Sequence, residues 1–228
     1  MRKEYGIGLA LILVSFVVTG ICIAFMPDQV PMHYDAAGVV DRIGSKYETL
    51  LFPAATLLIG AFLLGMARYQ RKKQELGNEK VLLRSGIVLL VGENLLFGYF
   101  LYRAMSSASA EAGEIQDLSL KLLCILLGAL LCCLGNLMPK ARKNAVFGLR
   151  TSWSMKNQRV WQKSQRFGGI SMVVCGFLTL LLGIFLPNSV CLPALLAVLT
   201  LTLLADLWAS HHIYQKDLQL HPEEKTSF

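Results

Sequence analysis

A carboxylate in the middle of an apolar stretch is the first residue of this sequence that could do chemistry. Glu93 stands beside Asn94 near the centre of a long, largely apolar run. An ionised carboxylate is costly in such surroundings, so we expect the side chain to be protonated or paired. A partner must come from another helix, and Asn136, Asp206 or a Thr or Ser side chain could supply it.

Glu93 admits two interpretations. An ionisable residue inside a membrane is a candidate for function by default, so Glu93 and Asn94 are predicted to bind a ligand or a proton. The structural alternative is an interhelical hydrogen bond that holds the helices together. A related alternative for the whole protein is a small transporter or channel that uses Glu93 and Asp206 along a polar path.

A histidine among aspartates marks a second candidate site, in the segment 26–46. His33 with Asp28, Asp35 and Asp41 could in principle hold a divalent metal through imidazole and carboxylate ligands. One histidine and scattered carboxylates have no diagnostic spacing, so hydrogen bonds that tether the segment are the favoured interpretation. We therefore predict no metal and no cofactor.

The same segment has the composition of a shaped loop. Two prolines fix an extended entry, and glycines follow at 38 and 44. We expect the loop to be ordered over the ends of the helices and to bind a ligand. The predicted ligand-binding residues here are Pro27, Pro31, His33, Asp35 and Gly38.

Enzymatic motifs are absent from the sequence. It contains no nucleophile motif, no HExxH, no phosphate-binding loop and no close pair of carboxylates, so we predict a protein that is not an enzyme. The neighbouring His211 and His212 point about 100° apart on a helix and do not form a metal pair. The six cysteines lie in or beside apolar stretches and are interpreted as small buried hydrophobic residues.

The elements that position these residues follow from the composition. Of the 228 residues, 54% are hydrophobic and 16% are charged, against about 25% charged in soluble domains. The apolar residues form six uncharged or nearly uncharged runs of the length that crosses a bilayer. These runs cover residues 5–25, 50–67, 81–101, 118–137, 167–186 and 191–210. The predicted fold is an all-α, polytopic bundle of six transmembrane helices.

The basic residues predict the orientation. If the six helices alternate, 18 of the 22 Lys and Arg residues fall on one side. The positive-inside rule then places both termini in the cytoplasm. The first run is expected to stay as a helix, because no small-residue cleavage site follows it. The net charge of +7 is thus a topology signal, and direct nucleic-acid binding is not expected.

Three regions follow from this arrangement. Residues 1–70 form a transmembrane hairpin with the patterned outer loop 26–46. Residues 71–117 hold the third span and a second outer loop. Residues 118–228 hold spans four to six and a long inner loop, 138–169.

The inner loop is rich in basic and aromatic residues. It contains eight Lys and Arg residues together with Trp153 and Trp161. A Thr or Ser before Trp153 can cap a helix that runs to Arg166, with Asn157, Trp161 and Gln165 on one side. We expect an interfacial helix at the headgroup layer. It would either dock a cytoplasmic partner or only anchor the loop to the lipid bilayer.

Two strings of residues resemble a known family. The run N-x-x-F-G-L-R-T-x-W-S-M-x-N-x-x-V-W-x-x-S-Q-R-x-G-G, residues 144–169, resembles the signature of the SdpI family of bacterial membrane proteins. The outer string PDQVPMHYDAAGVVDRIGSK resembles the domain of unknown function that commonly forms the N-terminal half of that family. The resemblance covers roughly residues 10–60 and 125–205. It departs at Ser152, where the family often has proline.

The resemblance implies a function and a location. For the best-studied members of the family, the resemblance implies immunity of the producing cell against a secreted peptide toxin, and a signalling role in which the toxin-engaged protein holds a small transcriptional repressor at the membrane. The chain is accordingly expected to be a multi-pass protein of the bacterial plasma membrane. Its expected partner-binding residues are Asn144, Gly148, Arg150, Thr151, Trp153, Trp161 and Arg166.

Overall fold

A computed structural model describes residues 2–34, 40–73, 76–106 and 119–222. The described chain forms six long helices and one β-hairpin. The helices are α1 (Arg2–Phe25), α2 (Leu51–Lys72), α3 (Leu76–Ser106), α4 (Ser119–Leu137), α5 (Gln158–Phe185) and α6 (Asn188–Leu220). The hairpin consists of β1 (Gln29–Tyr34) and β2 (Val40–Ser45), and short 3-10 helices at Lys46–Leu50 and Met138–Lys140 precede α2 and follow α4.

All six helices are long and apolar enough to cross a membrane. This confirms the predicted polytopic helix bundle. Large apolar side chains cover the outside of the bundle, as a lipid solvent requires: Leu58 is 72% exposed and Phe185 is 74% exposed. With 19 residues, α4 measures about 28 Å, close to the thickness of the hydrocarbon layer.

The alternation of the helices gives the bundle two ends. The β-hairpin lies at one end, here called the hairpin face, between α1 and α2. The segment 138–157 lies at the other end, here called the loop face, between α4 and α5. The basic residues collect at the loop face, so the prediction that this face and both termini are cytoplasmic still follows from the positive-inside rule.

The first three helices share one apolar core. Its buried residues come from all three helices, and Tyr5, Ile12, Leu64, Leu82 and Leu90 are among them. A polar contact adds to it where the Ser15 hydroxyl donates to Thr56 Oγ1 at 3.3 Å. The apolar core therefore makes α1, α2 and α3 one packing unit.

Helices α4 and α5 approach each other so closely that their backbones touch. A Cβ atom added to Gly128 would lie 2.6 Å from the carbonyl oxygen of Gly176, and one added to Gly135 would lie 2.8 Å from that of Gly169. One added to Gly183 would lie 2.6 Å from the carbonyl oxygen of Lys121. These antiparallel contacts recur every seven residues on both helices, and small residues are what such close helix packing in membranes requires.

The predicted interfacial helix differs from the observed structure. Residues 152–155 form turns, and the helix begins only at Gln158, where the Asn157 side chain accepts a hydrogen bond from the Val160 N–H. From there α5 continues without a break into the fifth span. The reason is local, because Thr151 and Ser154 bond each other's backbone N–H groups and so stabilise a turn at this point.

Candidate functional sites

The outer loop is an antiparallel β-hairpin. Val30 pairs with Gly44, and His33 pairs with Arg42. Val30 is fully buried. It shares a cluster with three apolar side chains from the ends of α1 and α3: Met26, Leu101 and Ala104. The described part of the loop, residues 26–34 and 40–46, therefore packs onto the ends of the helices, although the hairpin itself was not predicted.

Three polar pairs fasten the hairpin. They join His33 Nδ1 to Asp41 Oδ1 at 2.6 Å, Arg42 Nη2 to Glu48 Oε2 at 2.7 Å, and Lys46 Nζ to Asp28 Oδ1 at 3.0 Å. His33, Asp28 and Asp41, three of the four residues considered as metal ligands, are thus engaged in hydrogen bonds and ion pairs. No group of three or more metal-binding side chains occurs among the described residues. Of the predicted ligand-binding residues, Asp35 and Gly38 lie outside the described ranges.

The two prolines and Gly44 shape the hairpin. Pro27 lies between α1 and β1, and Pro31 pairs with Ile43 across the sheet. A Cβ atom at Gly44 would lie 2.3 Å from Glu48 Oε1. The same carboxylate accepts a hydrogen bond from the Ser45 N–H at 3.0 Å. Gly44 therefore leaves the space that lets Glu48 close the end of the hairpin.

Apolar side chains of the hairpin region point away from the core. Ile43 is 63% exposed, Tyr47 is 62% exposed and Val40 is 39% exposed. We call these three residues the hairpin patch. Neighbouring charged residues Arg42 and Lys46 are held in ion pairs. The patch therefore presents apolar surface at the hairpin face of the bundle.

Glu93 lines a cavity between α2, α3 and α4. The cavity has a volume of about 300 Å³, and its other lining residues are apolar, with Ile59 from α2 and leucines from α3 and α4. Both carboxyl oxygens of Glu93 are buried, and neither has a hydrogen-bond partner in the described chain. Thr56 of α2, the kind of interhelical partner expected, lies close to the Glu93 carboxyl group but makes no hydrogen bond of ordinary geometry with it, so the carboxyl group is available to a molecule in the cavity.

Asn94 belongs to a different cavity. Its Nδ2 donates to the Leu90 carbonyl at 2.7 Å. The side chain lines a cavity of about 290 Å³ between α1 and α3, together with Ser15 and Thr19. Neighbouring side chains on a helix point about 100° apart, so Glu93 and Asn94 face different helices. The two predicted ligand-binding residues do not form one site.

Asp206, the second carboxylate of the transporter alternative, lies between α5 and α6. It is 7% exposed, and its Oδ1 accepts a short hydrogen bond of 2.5 Å from the Ser171 hydroxyl. The Glu93 carboxyl lies instead in the cavity between α2, α3 and α4. Within the described ranges the two carboxyl groups thus belong to different helix interfaces.

Asn144 organises the start of the loop at the loop face. Its Oδ1 accepts hydrogen bonds from the N–H groups of Val146 and Phe147, both at 2.8 Å. Its Nδ2 donates to the carbonyl groups of Arg142 and Phe147. The side chain is buried. Asn144 thus holds a turn at the start of the loop.

Gly148 and Thr151 shape the rest of the loop. Gly148 has a φ of 115°, a backbone conformation that residues other than glycine rarely adopt. A Cβ atom there would also collide with Gln165 Oε1. The Thr151 hydroxyl bonds the Ser210 hydroxyl at 2.5 Å, which ties the loop to α6. Thr151 is buried.

The two tryptophans of the loop have different environments. Trp161 is fully buried, and its Nε1 donates to the Ala141 carbonyl at 2.8 Å. It packs with Val81 of α3, which connects the loop to the first three helices. Trp153 is half-buried and lies edge-on to His211, with ring centroids 4.8 Å apart. Trp161 therefore holds the loop in place, and only Trp153 retains an accessible edge.

The expected partner-binding residues therefore divide into two groups. Asn144, Thr151 and Trp161 are buried and maintain the loop, whereas Arg150 and Arg166 are exposed. Arg150, Arg166 and one edge of Trp153 remain accessible to a partner. These positions could not be separated from sequence, because buried and exposed residues share one signature.

A polar cluster that was not predicted joins α5 to α6. Asp217 is 3% exposed and accepts a hydrogen bond from Asn157 Nδ2 at 2.9 Å. Arg159 Nε lies 3.4 Å from Asp217 Oδ1, and Lys163 Nζ lies 3.9 Å from it. The sequence signal was an isolated aspartate one residue after Lys216, near the end of an otherwise weakly charged helix.

Comparisons with known proteins agree with this architecture. Residues 140–207 match the SdpI/YfhL protein family, and residues 10–57 match a domain of unknown function (DUF1648). The chain is 24% identical to the immunity protein SdpI of Bacillus subtilis (strain 168) over 216 residues, which cover 94% of this chain and 97% of the relative. No solved structure gives a significant match. The two matched regions contain the β-hairpin and the loop-face segment in the expected order, and the chain is a multi-pass membrane protein of the SdpI family.

Proposed function

We propose that this protein is a membrane immunity and sensor protein that protects its cell against a secreted, membrane-active peptide. The observation that carries the proposal is the likeness to an immunity protein over nearly the full length of both chains. A likeness of that extent includes the hairpin and the loop face, and therefore both candidate surfaces.

The hairpin patch supports a contact with such a peptide. A membrane-active peptide is amphipathic, and the exposed side chains of Ile43 and Tyr47 offer apolar surface at the hairpin face. The hairpin is anchored through buried Val30 and the polar pairs around it, so the patch is held on a rigid support.

The loop face supports contact with a cytoplasmic repressor. Arg150 and Arg166 are exposed there, and Val146 and Phe147 pack against the core formed by α1, α2 and α3. A shift of these helices caused by a peptide at the hairpin face would therefore reach the loop by direct contact. This packing is the physical basis for a sensor role.

The test is survival of a sensitive bacterium that produces this protein, challenged with a panel of secreted membrane-active peptides. We expect protection against at least one peptide, and loss of protection in the double variant Ile43→Ser/Tyr47→Ser. The matched control is Leu220→Ser, which removes an apolar side chain that is 60% exposed at the opposite face. Both variants must reach wild-type levels in the membrane. If the bacterium remained equally sensitive to every peptide with and without the protein, the result would contradict immunity.

Transport of a small solute or ion is the second candidate function. The unpartnered carboxyl group of Glu93 in its apolar cavity favours it, because a buried polar group without a partner is costly unless a function retains it. Proteoliposomes that contain the purified protein would show a flux of ions or small solutes that Glu93→Gln abolishes. If neither the wild type nor Glu93→Gln produced a flux, transport by this route would be excluded.

A further inference from the structure

A basic cleft opens at the loop face between the segment that follows α4 and the first turns of α5. It consists of two adjoining cavities of about 760 and 410 Å³ that share Arg142, Gln158 and Gln162 as lining residues. Five cationic side chains line it: Lys140, Arg142, Lys143, Lys163 and Arg166. No acidic side chain is among the residues that line either cavity.

The charge of the cleft is largely uncompensated. Lys163 shares Asp217 with Arg159, whereas no ion pair within the described ranges involves Arg142 or Arg166. Like charges gathered in one cleft repel each other, and an anion between them removes that repulsion. The amide groups of Gln158 and Gln162 add hydrogen-bond donors on the same wall. The ligand that fits this chemistry carries a phosphate or a similar anionic group.

The depth of the cleft matches the headgroup layer of the bilayer. Gly169 of α5 lies against Gly135 of α4, and α4 ends two residues later at Leu137. Arg166 lies three residues before Gly169, which is about 4.5 Å further out along the axis. The polar layer on each side of the hydrocarbon core is about 5–8 Å thick. Because Leu137 lies about 3 Å beyond Gly135, the backbone of Arg166 is about 1.5 Å past the end of α4, and its long side chain can extend from there into the headgroup layer.

An apolar stripe on α5 continues directly from the cleft. Below Arg166 the outer surface of α5 carries Ile170, 65% exposed, and Phe177, 57% exposed. At 100° per residue, Gln162, Arg166, Ile170 and Phe177 fall within about 80° of one another around the helix. Along one face of α5, the amide donor of Gln162 is thus followed by the cationic group of Arg166 and then by apolar side chains exposed to lipid. A molecule with an anionic head and a hydrocarbon tail matches that sequence of surfaces.

We propose that the basic cleft binds the headgroup of an anionic phospholipid, with an acyl chain lying along Ile170 and Phe177. Arg142 and Arg166 bind the phosphate from two sides, and Gln158 and Gln162 donate hydrogen bonds to its oxygens or to the headgroup. An acidic protein segment would satisfy the charges but would leave the apolar stripe unused. The combination of cleft and stripe therefore favours a lipid.

The experiment measures lipid binding to the full-length protein in detergent by native mass spectrometry, at constant ionic strength. Phosphatidylglycerol and phosphatidylcholine with identical acyl chains are titrated separately. We expect the anionic phosphatidylglycerol to bind on the order of tenfold more tightly than the zwitterionic phosphatidylcholine. The double variant Arg142→Gln/Arg166→Gln should lose this preference, and Arg142→Lys/Arg166→Lys should retain most of it.

The control removes the same charge elsewhere on the loop face. Lys80→Gln/Lys216→Gln changes two exposed residues outside the cleft and should keep the preference. Circular dichroism verifies that each variant remains helical, and if the Gln pair does not fold, Arg166→Gln alone is used.

Three results would overturn the proposal. Equal affinity of the wild type for both lipids would assign the cleft to a soluble acidic partner. If the control pair lost the preference for phosphatidylglycerol to the same extent, net charge alone would account for lipid binding. Displacement of the lipid by inorganic phosphate would indicate a free-anion site.

Discussion

The side-chain amide of Gln165 binds the backbone of Leu149 at both its N–H and its carbonyl group. The Leu149 N–H donates to Gln165 Oε1 at 2.8 Å, and Gln165 Nε2 donates to the Leu149 carbonyl at 2.8 Å. Gln165 is fully buried and lies in the first turns of α5, sixteen residues away. One side chain thus completes the backbone bonding of the loop at the point where it passes over α5.

Replacing Gln165 is therefore expected to release the loop. Gln165→Ala leaves the Leu149 N–H without its partner and leaves the Leu149 carbonyl with only the Ser154 hydroxyl as a donor, which should lower the free energy of unfolding by about 2 kcal/mol. Limited proteolysis of the purified protein should cut the segment 142–156 faster. Gln162→Ala, an exposed position one turn earlier, is the matched control. Equal protease sensitivity of the two variants would mean that Gln165 does not hold the loop.

Gly148 is expected to tolerate no side chain, for two independent reasons. Its φ of 115° strains any L-residue, and a Cβ atom would collide with the amide that holds Leu149. Gly148→Ala should therefore cost about 1–3 kcal/mol and should accelerate proteolysis of the loop in the same way as Gln165→Ala. Gly98→Ala adds a methyl group with nothing within 4 Å and should leave thermal stability unchanged. A Gly148→Ala protein as stable as the wild type would contradict the observed loop conformation.

The outcome for this loop shows what sequence reasoning could reach. Hydrophobic runs of about 20 residues predict spans without reference to tertiary structure, because the bilayer itself sets their length. The spacing of Asn157, Trp161 and Gln165 also predicted one shared helix face, and all three now appear on the side of α5 that contacts the loop and α6. The start of that helix was predicted five residues too early. The turn formed by Thr151 and Ser154 competes with helix formation at this point. The hydrogen bond between the Thr151 and Ser210 hydroxyls is a long-range contact that the sequence does not indicate.

The remaining differences depend on tertiary contacts. The β-hairpin depends on pairing between β1 and β2 and on burial of Val30 against the ends of α1 and α3, which no alternating pattern in the sequence indicates. Glu93 and Asn94 were grouped because they are neighbours in sequence, whereas helix geometry directs them to separate cavities. The heptad spacing of the glycines in α4 and α5 was present in the sequence. It could have predicted this contact, since close helix packing in membranes uses small residues at such intervals.

The glycine contacts between α4 and α5 give a third prediction. Gly176→Ala places a methyl group 2.6 Å from the Gly128 carbonyl oxygen, so the helices must separate. We expect a loss of about 2 kcal/mol and a lower melting temperature in detergent. Gly65→Ala in α2 meets nothing within 4 Å and serves as the control. If both variants melted at the wild-type temperature, the two backbones would not be in contact.

Trp161 gives a fourth prediction, which separates support of the loop from direct contact with a partner. Trp161→Phe keeps an aromatic ring but removes the hydrogen bond to the Ala141 carbonyl and leaves a small void, which should cost about 2 kcal/mol. Trp208→Phe, at a position that is 67% exposed, should be neutral. Thermal denaturation measures both. A Trp161→Phe protein of full stability that nevertheless lost its cytoplasmic partner would show that the indole acts by direct contact.

The carboxyl group of Glu93 gives the last prediction, which separates a ligand site from a structural role. Neither carboxyl oxygen has a partner in the described chain, and the surrounding cavity is apolar. Replacing the group by a hydrocarbon should therefore not destabilise the bundle, and Glu93→Leu should raise the free energy of unfolding by about 1 kcal/mol. If the cavity binds a ligand or a proton, Glu93→Gln should keep stability and lose protection or flux. Asp206→Asn is the comparison, because that carboxylate already has Ser171 as a partner and its loss should affect stability first. Parallel loss of folding and function in Glu93→Gln would instead assign the residue to an interhelical contact.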